Sequence, residues 1–341
     1  MALADFQAIN HFGDAGGEAR ACRSASALFD FSFLECAQAR GDAACQTLES
    51  FTARSLADLP VGRIRYALRL SAAGKLLADL TIWRTAKDTF EVMSGRHEDI
   101  ADLAGRAGSG ITVTEEANRA VFALQGPASL EVLSHLGPIE SIVALPYFAF
   151  ADALLDGVAC RIGRLGYTGE RGFEIICPRS AADRVWHAIA AYARPAGFIA
   201  LDMLRIEAGF VLFENEFRLP VTPAEAGLGK FYQGAALPAA DAILVSFTAN
   251  ADRLTLPWQP SAVQLPSHGE IAVTSACDSI VAGRVLGLGY VRARHPLGAP
   301  LRDPTGTFGN IRQAPLPYYD TAKRRPRQVW RDGSSMGVQS A

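Results

Sequence analysis

The stretch ACRIGRLGYTGERGFEIICP, residues 159–178, has the pattern of two β-strands joined by a turn. Gly169 and Gly172 lie in this turn, where a backbone with positive φ favours glycine. Glu174 then interrupts the apolar run FEIIC. Alternation along a strand allows its carboxylate to face solvent. If the carboxylate faces the interior instead, it needs polar partners, because a buried unpaired charge is costly.

The segments around this hairpin mix strands and helices without regular βαβ alternation. Alternating apolar residues predict another hairpin, with strands over 64–70 and 76–83, and the stretch 119–137 predicts a strand, a Gly-Pro break and a helix. Helical spacing predicts further helices over 97–108, 180–194 and 199–213, with Ser180 as an N-cap and Gly209 ending the last. This mixture predicts an α+β fold rather than a doubly wound sheet.

The C-terminal part of the chain differs in character, since short strands, prolines and glycines dominate it from about residue 231. That composition predicts a small all-β barrel or sandwich. We therefore divide the chain into an α+β region over 1–230, made of two interleaved subdomains, and a β-domain over 231–325. The stretch 326–341 is basic and then polar, which predicts a flexible tail.

Composition argues against several classes of protein. The chain has 341 residues, of which 49% are hydrophobic and 20% charged, and its formal net charge is −2. This near-neutral balance gives no reason to expect a nucleic acid or an anionic membrane as a partner. No apolar run is long enough to span a membrane, and the N-terminus has no signal-peptide pattern. We therefore expect a cytoplasmic protein that acts on a small molecule.

No short motif supplies the chemistry directly. The six cysteines and six histidines are dispersed, with no CxxC or HExxH pair, so we expect no protein metal site. A Walker loop, a GxSxG elbow and a GxGxxG turn are also absent from the sequence. An enzyme with this sequence would take its hard chemistry from a bound cofactor or from its substrate.

Six separated segments follow the order of one known family. They are ALFDFS (27–32), FALQGPAS (122–129), GYTGERGFEI (166–175), ALDMLRIEAGFVLFENEF (200–217), TPAEAGLGK (222–230) and LPYYD (316–320). In these segments the chain resembles the aminomethyltransferase family, which contains the glycine-cleavage T-protein and its folate-dependent demethylase relatives. The resemblance covers about residues 25–325. It implies a cloverleaf of three domains around a tetrahydrofolate site, with a β-barrel-like C-terminal domain.

The resemblance implies that the opening hairpin holds the pterin ring. Glu174 would turn inward and accept hydrogen bonds from the adjacent N–H and NH₂ groups of the ring. Tyr167 would form an aromatic wall against it, and Gly166 would belong to the same cofactor-binding segment. We expect Glu170 to be a solvated turn residue.

The resemblance also implies a catalytic pair, Tyr66 and Asp79, which keep the family's spacing of 13 residues. A carboxylate beside the reactive folate nitrogens would orient the substrate amine and stabilise positive charge during one-carbon transfer. The alternative is a solvent-facing aspartate in a strand. Arg205 also has two interpretations. It forms an intrahelical ion pair with Asp202 or Glu207, or it grips the carboxylates of the folate tail.

The sequence departs from the family mainly on the substrate side. Phe33 stands where the family has a histidine, and Ala78 replaces the first of two adjacent aspartates. Phe33 and Trp83 indicate a less polar substrate pocket, unless both are core residues. The segment GKFYQGAAL lacks the cysteine and the final glutamate of the iron–sulfur-linked relatives.

These departures lead to a specific functional hypothesis. We predict a tetrahydrofolate-dependent methyl or aminomethyl transferase, a demethylase or specialised-pathway enzyme rather than the housekeeping T-protein. Its partner would be a small-molecule substrate, and a lipoyl carrier protein is a less favoured partner. One alternative is a non-catalytic factor for folate binding or iron–sulfur assembly. Another is the same fold recruited to a non-folate ligand and different chemistry.

Overall fold

The computed structural model describes residues 2–3, 6–237, 239–251, 254–262, 264–292 and 295–330. The strands are β1 (Ala2–Leu3), β2 (Phe6–Gln7), β3 (Ala27–Asp30), β4 (Glu35–Arg40), β5 (Ile64–Leu70), β6 (Leu76–Ala86), β7 (Thr89–Ser94), β8 (Thr112–Glu115), β9 (Arg119–Gln125), β10 (Phe150–Leu155), β11 (Val158–Gly163), β12 (Gly172–Pro178), β13 (Arg194–Pro195), β14 (Ala242–Asn250), β15 (Ala272–Ser279), β16 (Arg284–Arg292), β17 (Pro300–Leu301) and β18 (Gly309–Ala314). The helices are α1 (Ala15–Ser24), α2 (Ala44–Thr52), α3 (His97–Ala104), α4 (Ser129–Ser134), α5 (Glu140–Val143), α6 (Ala182–Ala190), α7 (Phe198–Glu207) and α8 (Phe213–Glu216). Short 3-10 turns occupy Arg179–Ala181, Gly229–Phe231 and Arg325–Arg327.

Three sheets carry the fold. A six-stranded sheet has the order β10-β11-β12-β9-β3-β13, and two five-stranded sheets have the orders β5-β6-β7-β4-β8 and β15-β16-β14-β18-β17. The chain leaves the six-stranded sheet after β3, builds the first five-stranded sheet, and returns as β9. The strand pairs are antiparallel except for β13 with β3, and the helices are separate elements, which confirms the predicted α+β class. None of the helices in the described ranges is both long and apolar enough to cross a membrane.

Both predicted hairpins are present, β5 with β6 and β11 with β12, each antiparallel. α7 ends at Glu207, and Gly209 follows with a φ of +65°, which glycine adopts without steric cost. The prediction of Ser180 as an N-cap is wrong. The chain after β12 makes a 3-10 turn through Ser180, so α6 begins only at Ala182, and the N-cap Ala181 has no side-chain hydrogen bond.

The largest hydrophobic cluster lies where the three sheets meet. All ten residues of α7 are buried. The cluster takes apolar side chains from α7 and from every one of the three sheets, among them Trp83, Ile176 and Leu288. Trp83 is fully buried and packs on Phe150, with 5.3 Å between the ring centroids. Trp83 is therefore a core residue and does not line a pocket.

The third sheet is open over the residues that the structure describes. Its edge strands β15 and β17 do not pair in a ladder, and only an isolated bridge between Glu270 and Arg302 connects the segments beside them. The sheet is therefore not a closed barrel.

Residues 316–330, here called the C-terminal strap, cross back over the six-stranded sheet. Trp330 is only 8% exposed and stacks on Phe173 of β12, with 5.7 Å between the rings. The Gln328 carbonyl accepts a hydrogen bond from Arg164. The prediction of a flexible tail is therefore wrong for residues 326–330, because the apolar surface of Trp330 is buried. Residues 331–341 lie outside the described residues.

Candidate functional site

The β5–β6 hairpin brings Tyr66 and Asp79 together. The register pairs Tyr66 with Thr81 and Leu68 with Asp79, so the two side chains are diagonal neighbours on one face of the hairpin. The Tyr66 hydroxyl donates a hydrogen bond of 3.1 Å to Oδ2 of Asp79. The spacing of 13 residues thus corresponds to a direct contact. Asp79 is partly buried, which does not fit a solvent-facing strand residue.

Burial controls the charge of this pair. It raises the pKa of Asp79 to about 6, and the hydrogen bond from Tyr66 opposes the rise. Burial and the charge of Asp79 together raise the pKa of Tyr66 well above its usual value. At neutral pH, Tyr66 is therefore a neutral donor to a carboxylate that titrates close to neutrality.

Tyr167 lies in the loop between β11 and β12 and completes one side of this region. Its hydroxyl donates to the carbonyl of Val211, and its ring stacks on Phe210 with 5.8 Å between the centroids. Burial raises the pKa of Tyr167, Arg205 opposes the shift, and Asp79 adds to it. Tyr66 and Tyr167 both pack against the central hydrophobic cluster, and Tyr66 holds Asp79 by its hydrogen bond.

Glu174 faces the interior. It is 7% exposed, and its neighbours along β12, Phe173 and Ile175, point to the opposite face, into the cluster formed with α4 and α6. Ile176, on the same face as Glu174, belongs to the central cluster. The solvent-facing alternative for Glu174 is therefore excluded. No hydrogen bond or ion pair joins its carboxylate to any side chain in the described part of the chain, and burial raises its pKa to about 7.

Gly166 makes room for a buried amide. A Cβ atom there would lie 1.8 Å from Oε1 of Gln125. The Gln125 amide donates to the carbonyls of Leu165 (3.2 Å) and Phe173 (3.3 Å), and it accepts from Thr168 (3.1 Å). Glycine at 166 thus lets Gln125 tie the loop to β12. A contact between Gly166 and the cofactor stays a prediction.

Arg205 is 1% exposed and forms ion pairs with Asp202 (2.8 Å) and Glu216 (2.9 Å). It also donates to the Phe210 carbonyl (3.1 Å) and to the hydroxyl of Ser275 (2.6 Å). The expected intrahelical ion pair with Asp202 is present. It is buried, and it belongs to a network that reaches the C-terminal sheet. A contact of Arg205 with the folate tail stays a prediction.

The expectation that Glu170 is solvated is wrong. Glu170 is 3% exposed, pairs with Arg23 at 3.2 Å and accepts a hydrogen bond from the Tyr319 hydroxyl. Arg325 of the strap lies 3.6 Å from its other oxygen. The strap covers the turn, so this carboxylate is enclosed by cations rather than by water.

Two aromatic residues next to the site had no signal in the sequence. Phe210 stacks on Tyr167, and Phe231 meets the Tyr66 ring edge-on at 4.8 Å. A lone phenylalanine in a loop is indistinguishable from a core residue by pattern. In the ranges that the structure describes, no group of three or more His, Cys, Asp or Glu side chains is placed to hold a metal ion.

Comparisons with known proteins agree with this architecture. Residues 4–234 match the family model described as the GCVT N-terminal domain. An aminomethyltransferase of Streptomyces avermitilis is 32% identical over 337 residues, covering 90% of this chain and 88% of that protein. One of Chlorobaculum parvum is 34% identical over 222 residues, covering 62% of this chain and 61% of that protein.

A solved structure extends the likeness to the fold. The crystal structure of glycine cleavage system aminomethyltransferase T from Bartonella henselae aligns with a TM-score of 0.75 and 25% identity, covering 92% of this chain and 91% of that one. The family model spans more than half of the chain, and the Streptomyces relative aligns over nearly all of it. The chain therefore belongs to the aminomethyltransferase family.

Proposed function

We propose that the protein is a tetrahydrofolate-dependent enzyme that transfers a methyl or aminomethyl unit between a small substrate and folate. Its relatives are named aminomethyltransferases, which supports the reaction class. The observation that carries the proposal is Glu174, an inward-facing carboxylate without a protein partner among the described residues. Such a group is costly to bury unless a ligand supplies the missing donors.

The chemistry of Glu174 and Tyr167 suits a pterin ring. The pterin edge offers two adjacent N–H donors, and a carboxylate accepts both in parallel. Tyr167 offers a ring face for stacking. Donors from the ligand would stabilise the ionised form of Glu174 and lower its pKa from about 7. Bound tetrahydrofolate would supply the nitrogen that takes up or donates the one-carbon unit.

In this proposal Asp79 is the catalytic carboxylate. Tyr66 donates to Oδ2 and fixes the orientation of the group, and the carboxylate would accept a hydrogen bond from a substrate amine. Above a pH of about 6 the carboxylate is ionised, so it stabilises positive charge that develops at the reacting nitrogen. The same pKa lets Asp79 hold or release a proton near neutrality.

We propose that the three sheets correspond to three domains arranged as a cloverleaf, with boundaries near residues 230 and 325. Support comes from the central cluster, which takes residues from all three sheets around α7. The bridge between Glu270 and Arg302 brings the two edges of the C-terminal sheet together, which supports a barrel-like shape for that domain.

We propose a demethylase or specialised branch rather than the housekeeping reaction. Ala78 is fully buried beside Asp79, so the position where the family carries another carboxylate is apolar here. Phe33 packs on Phe31, with 5.5 Å between the ring centroids. Both features favour a small N-methylated donor over a lipoyl carrier protein.

Isothermal titration with tetrahydrofolate tests the proposal. We expect the wild type to bind, Glu174→Ala to lose binding, and Glu131→Ala, which removes an exposed glutamate from α4, to bind normally. Unchanged binding by Glu174→Ala would contradict the role given to Glu174. A folded wild type that binds no folate would refute the folate dependence itself.

A further inference from the structure

One loop of the protein sets the position of Tyr167. We call residues 208–212, which join α7 to α8, the α7–α8 loop. The Tyr167 hydroxyl donates to the carbonyl of Val211, and its ring stacks on Phe210. A shift of these two loop residues would therefore move the ring that we assign to the pterin.

Two charged groups fix the loop on either side of this contact. Arg205 donates to the Phe210 carbonyl (3.1 Å), and Glu216 accepts from the Leu212 N–H (2.6 Å). Arg205 and Glu216 also form an ion pair of 2.9 Å, and both side chains are buried. The ion pair therefore holds the loop residues immediately before and after the one that bonds the tyrosine.

The ion pair itself is held by two hydroxyl groups of the C-terminal sheet. Oε1 of Glu216 accepts hydrogen bonds from Thr274 (2.8 Å) and Ser275 (2.5 Å) of β15. The Ser275 hydroxyl also accepts from Arg205 (2.6 Å) and from the side-chain amide of Asn215 (3.1 Å). A serine hydroxyl has one donor and two acceptor positions, and these contacts use all three.

A β-bulge brings the two hydroxyls to the same oxygen. Val273 pairs with Gly289 of β16 and Ser275 pairs with Leu288, so Thr274 is an extra residue in β15. Adjacent side chains of a regular strand point to opposite faces. The bulge therefore lets two adjacent side chains reach one carboxylate oxygen, where a regular strand would present only one of them.

The charges explain why this network needs the hydroxyls. Arg205 pairs with Asp202 (2.8 Å) as well as with Glu216, so two buried carboxylates share one guanidinium. A buried carboxylate is costly unless hydrogen-bond donors surround it. Thr274 and Ser275 supply such donors, so the loss of either hydroxyl would loosen Glu216 and, through it, the loop.

We propose that Thr274 and Ser275 are positioning residues for the pterin site. They orient Arg205 and Glu216, which hold the α7–α8 loop, and the loop sets the position of Tyr167. The C-terminal sheet thus acts on folate binding through a chain of hydrogen bonds. This inference rests on the proposed function, because that function places the pterin ring against Tyr167.

A double-mutant cycle measured by isothermal titration tests this path. Ser275→Ala removes the hydroxyl from the network, and Tyr167→Phe removes the hydrogen bond to the Val211 carbonyl. We expect each single variant to bind tetrahydrofolate about tenfold more weakly than the wild type, and the double variant to bind little more weakly than either. The losses overlap because both substitutions release the same loop. An unchanged affinity of Tyr167→Phe would contradict the role given to the loop.

A ligand without a tail identifies the part of folate that the network serves. The α7–α8 loop contacts the residue assigned to the ring, so Ser275→Ala should weaken the binding of tetrahydropterin by the same factor as that of tetrahydrofolate. A loss confined to tetrahydrofolate would assign the network to the tail, and the positioning of Tyr167 would be wrong.

Variants of Thr274 separate the hydrogen bond from the shape of the side chain. Thr274→Val keeps the shape and removes the hydroxyl, so folate affinity should fall. Thr274→Ser keeps the hydroxyl on a smaller side chain and should bind folate as the wild type does. This pair also decides the question if Ser275→Ala does not fold. Equal affinities of the two Thr274 variants would refute a role of the hydroxyl.

Ser246→Ala is the matched control. Ser246 is a fully buried serine of β14 in the same sheet, and its hydroxyl has no hydrogen-bond partner in the described part of the chain. We expect Ser246→Ala to bind both ligands as the wild type does, and to add nothing to the effect of Tyr167→Phe.

The outcomes distinguish this inference from the proposed function. If the folded wild type binds neither ligand, the proposed function fails, and the inference fails with it. If the wild type binds and Ser275→Ala lowers only the midpoint of urea unfolding, the bulge has a purely structural role, and the inference alone is refuted. If the losses of Ser275→Ala and Tyr167→Phe multiply in the double variant, Ser275 does not act through the loop, and the proposed path is wrong.

Discussion

Replacing Glu174 with glutamine tests the central feature of the site without any knowledge of the substrate. The substitution keeps the shape of the side chain but removes its ability to ionise. In the free protein, Glu174 is 7% exposed, and no described residue donates a hydrogen bond to it. We expect Glu174→Gln to stabilise the free protein above neutral pH and to weaken folate binding.

The magnitude follows from the pKa. Burial raises the pKa of Glu174 from 4.5 to about 7 in the folded chain. A shift of one pKa unit corresponds to about 1.4 kcal/mol of unfolding free energy, so the whole shift of the Glu174 pKa amounts to roughly 3 kcal/mol. The folded state binds the proton more tightly, so this contribution to stability is fully present below pH 4.5. It is lost as the pH rises through about 7.

Urea unfolding of the two proteins from pH 4.5 to 8.5 measures this effect. Every other titrating group is common to both proteins, so the difference between their unfolding free energies isolates Glu174. We expect this difference to be small at pH 4.5, where both side chains are neutral, and to approach ~3 kcal/mol in favour of glutamine above pH 7. A difference that stays constant across this range would refute a buried, unpaired carboxylate at 174.

Four further substitutions address the remaining parts of the site and the strap. Asp79→Asn should lower the turnover rate by about 100-fold or more and change folate affinity little. If calorimetry shows a loss of folate affinity as large as the loss of turnover, Asp79 has a binding role and not a catalytic one. Tyr66→Phe removes the hydrogen bond that lowers the pKa of Asp79, so the acid limb of the pH–rate profile should move up from about 6; an unmoved limb would contradict the pairing. Arg205→Met leaves two buried carboxylates without their cation and should cost about 3–5 kcal/mol in urea unfolding, whereas normal stability with lost folate affinity would favour a ligand contact. Trp330→Ala should cost about 3 kcal/mol, and an unchanged urea midpoint would show that the strap is not docked in solution.

Local patterns were sufficient for the elements that carry the site. Alternating apolar residues located both hairpins, and the antiparallel register then places Tyr66 beside Asp79. The inward direction of Glu174 was not available from its own strand, because alternation permits either face. β12 is buried on both faces, so only its packing against the rest of the chain decides which hydrophobic cluster each side chain faces.

Contacts between distant parts of the chain explain the errors. Glu170 was expected in solvent, yet its partners Arg23 and Tyr319 lie 147 and 149 positions away in the sequence. No local rule connects residues at such separations. Trp330 lies in a basic and polar stretch whose average composition predicts disorder. Its single aromatic side chain packs on Phe173, and this contact orders the chain locally.

Because the strap lies against β12 and α7, the family region 4–234 is not a unit that can be cut out of this protein. A fragment ending at 234 would uncover Phe173 and remove Tyr319, whose backbone N–H bonds the last residue of α7 at 2.7 Å. The strap follows the last strand of the three sheets in the chain, so it is synthesised after all of them, and this edge of the site is assembled only then. Exchanging N-terminal regions between relatives would therefore require exchanging the matching strap as well.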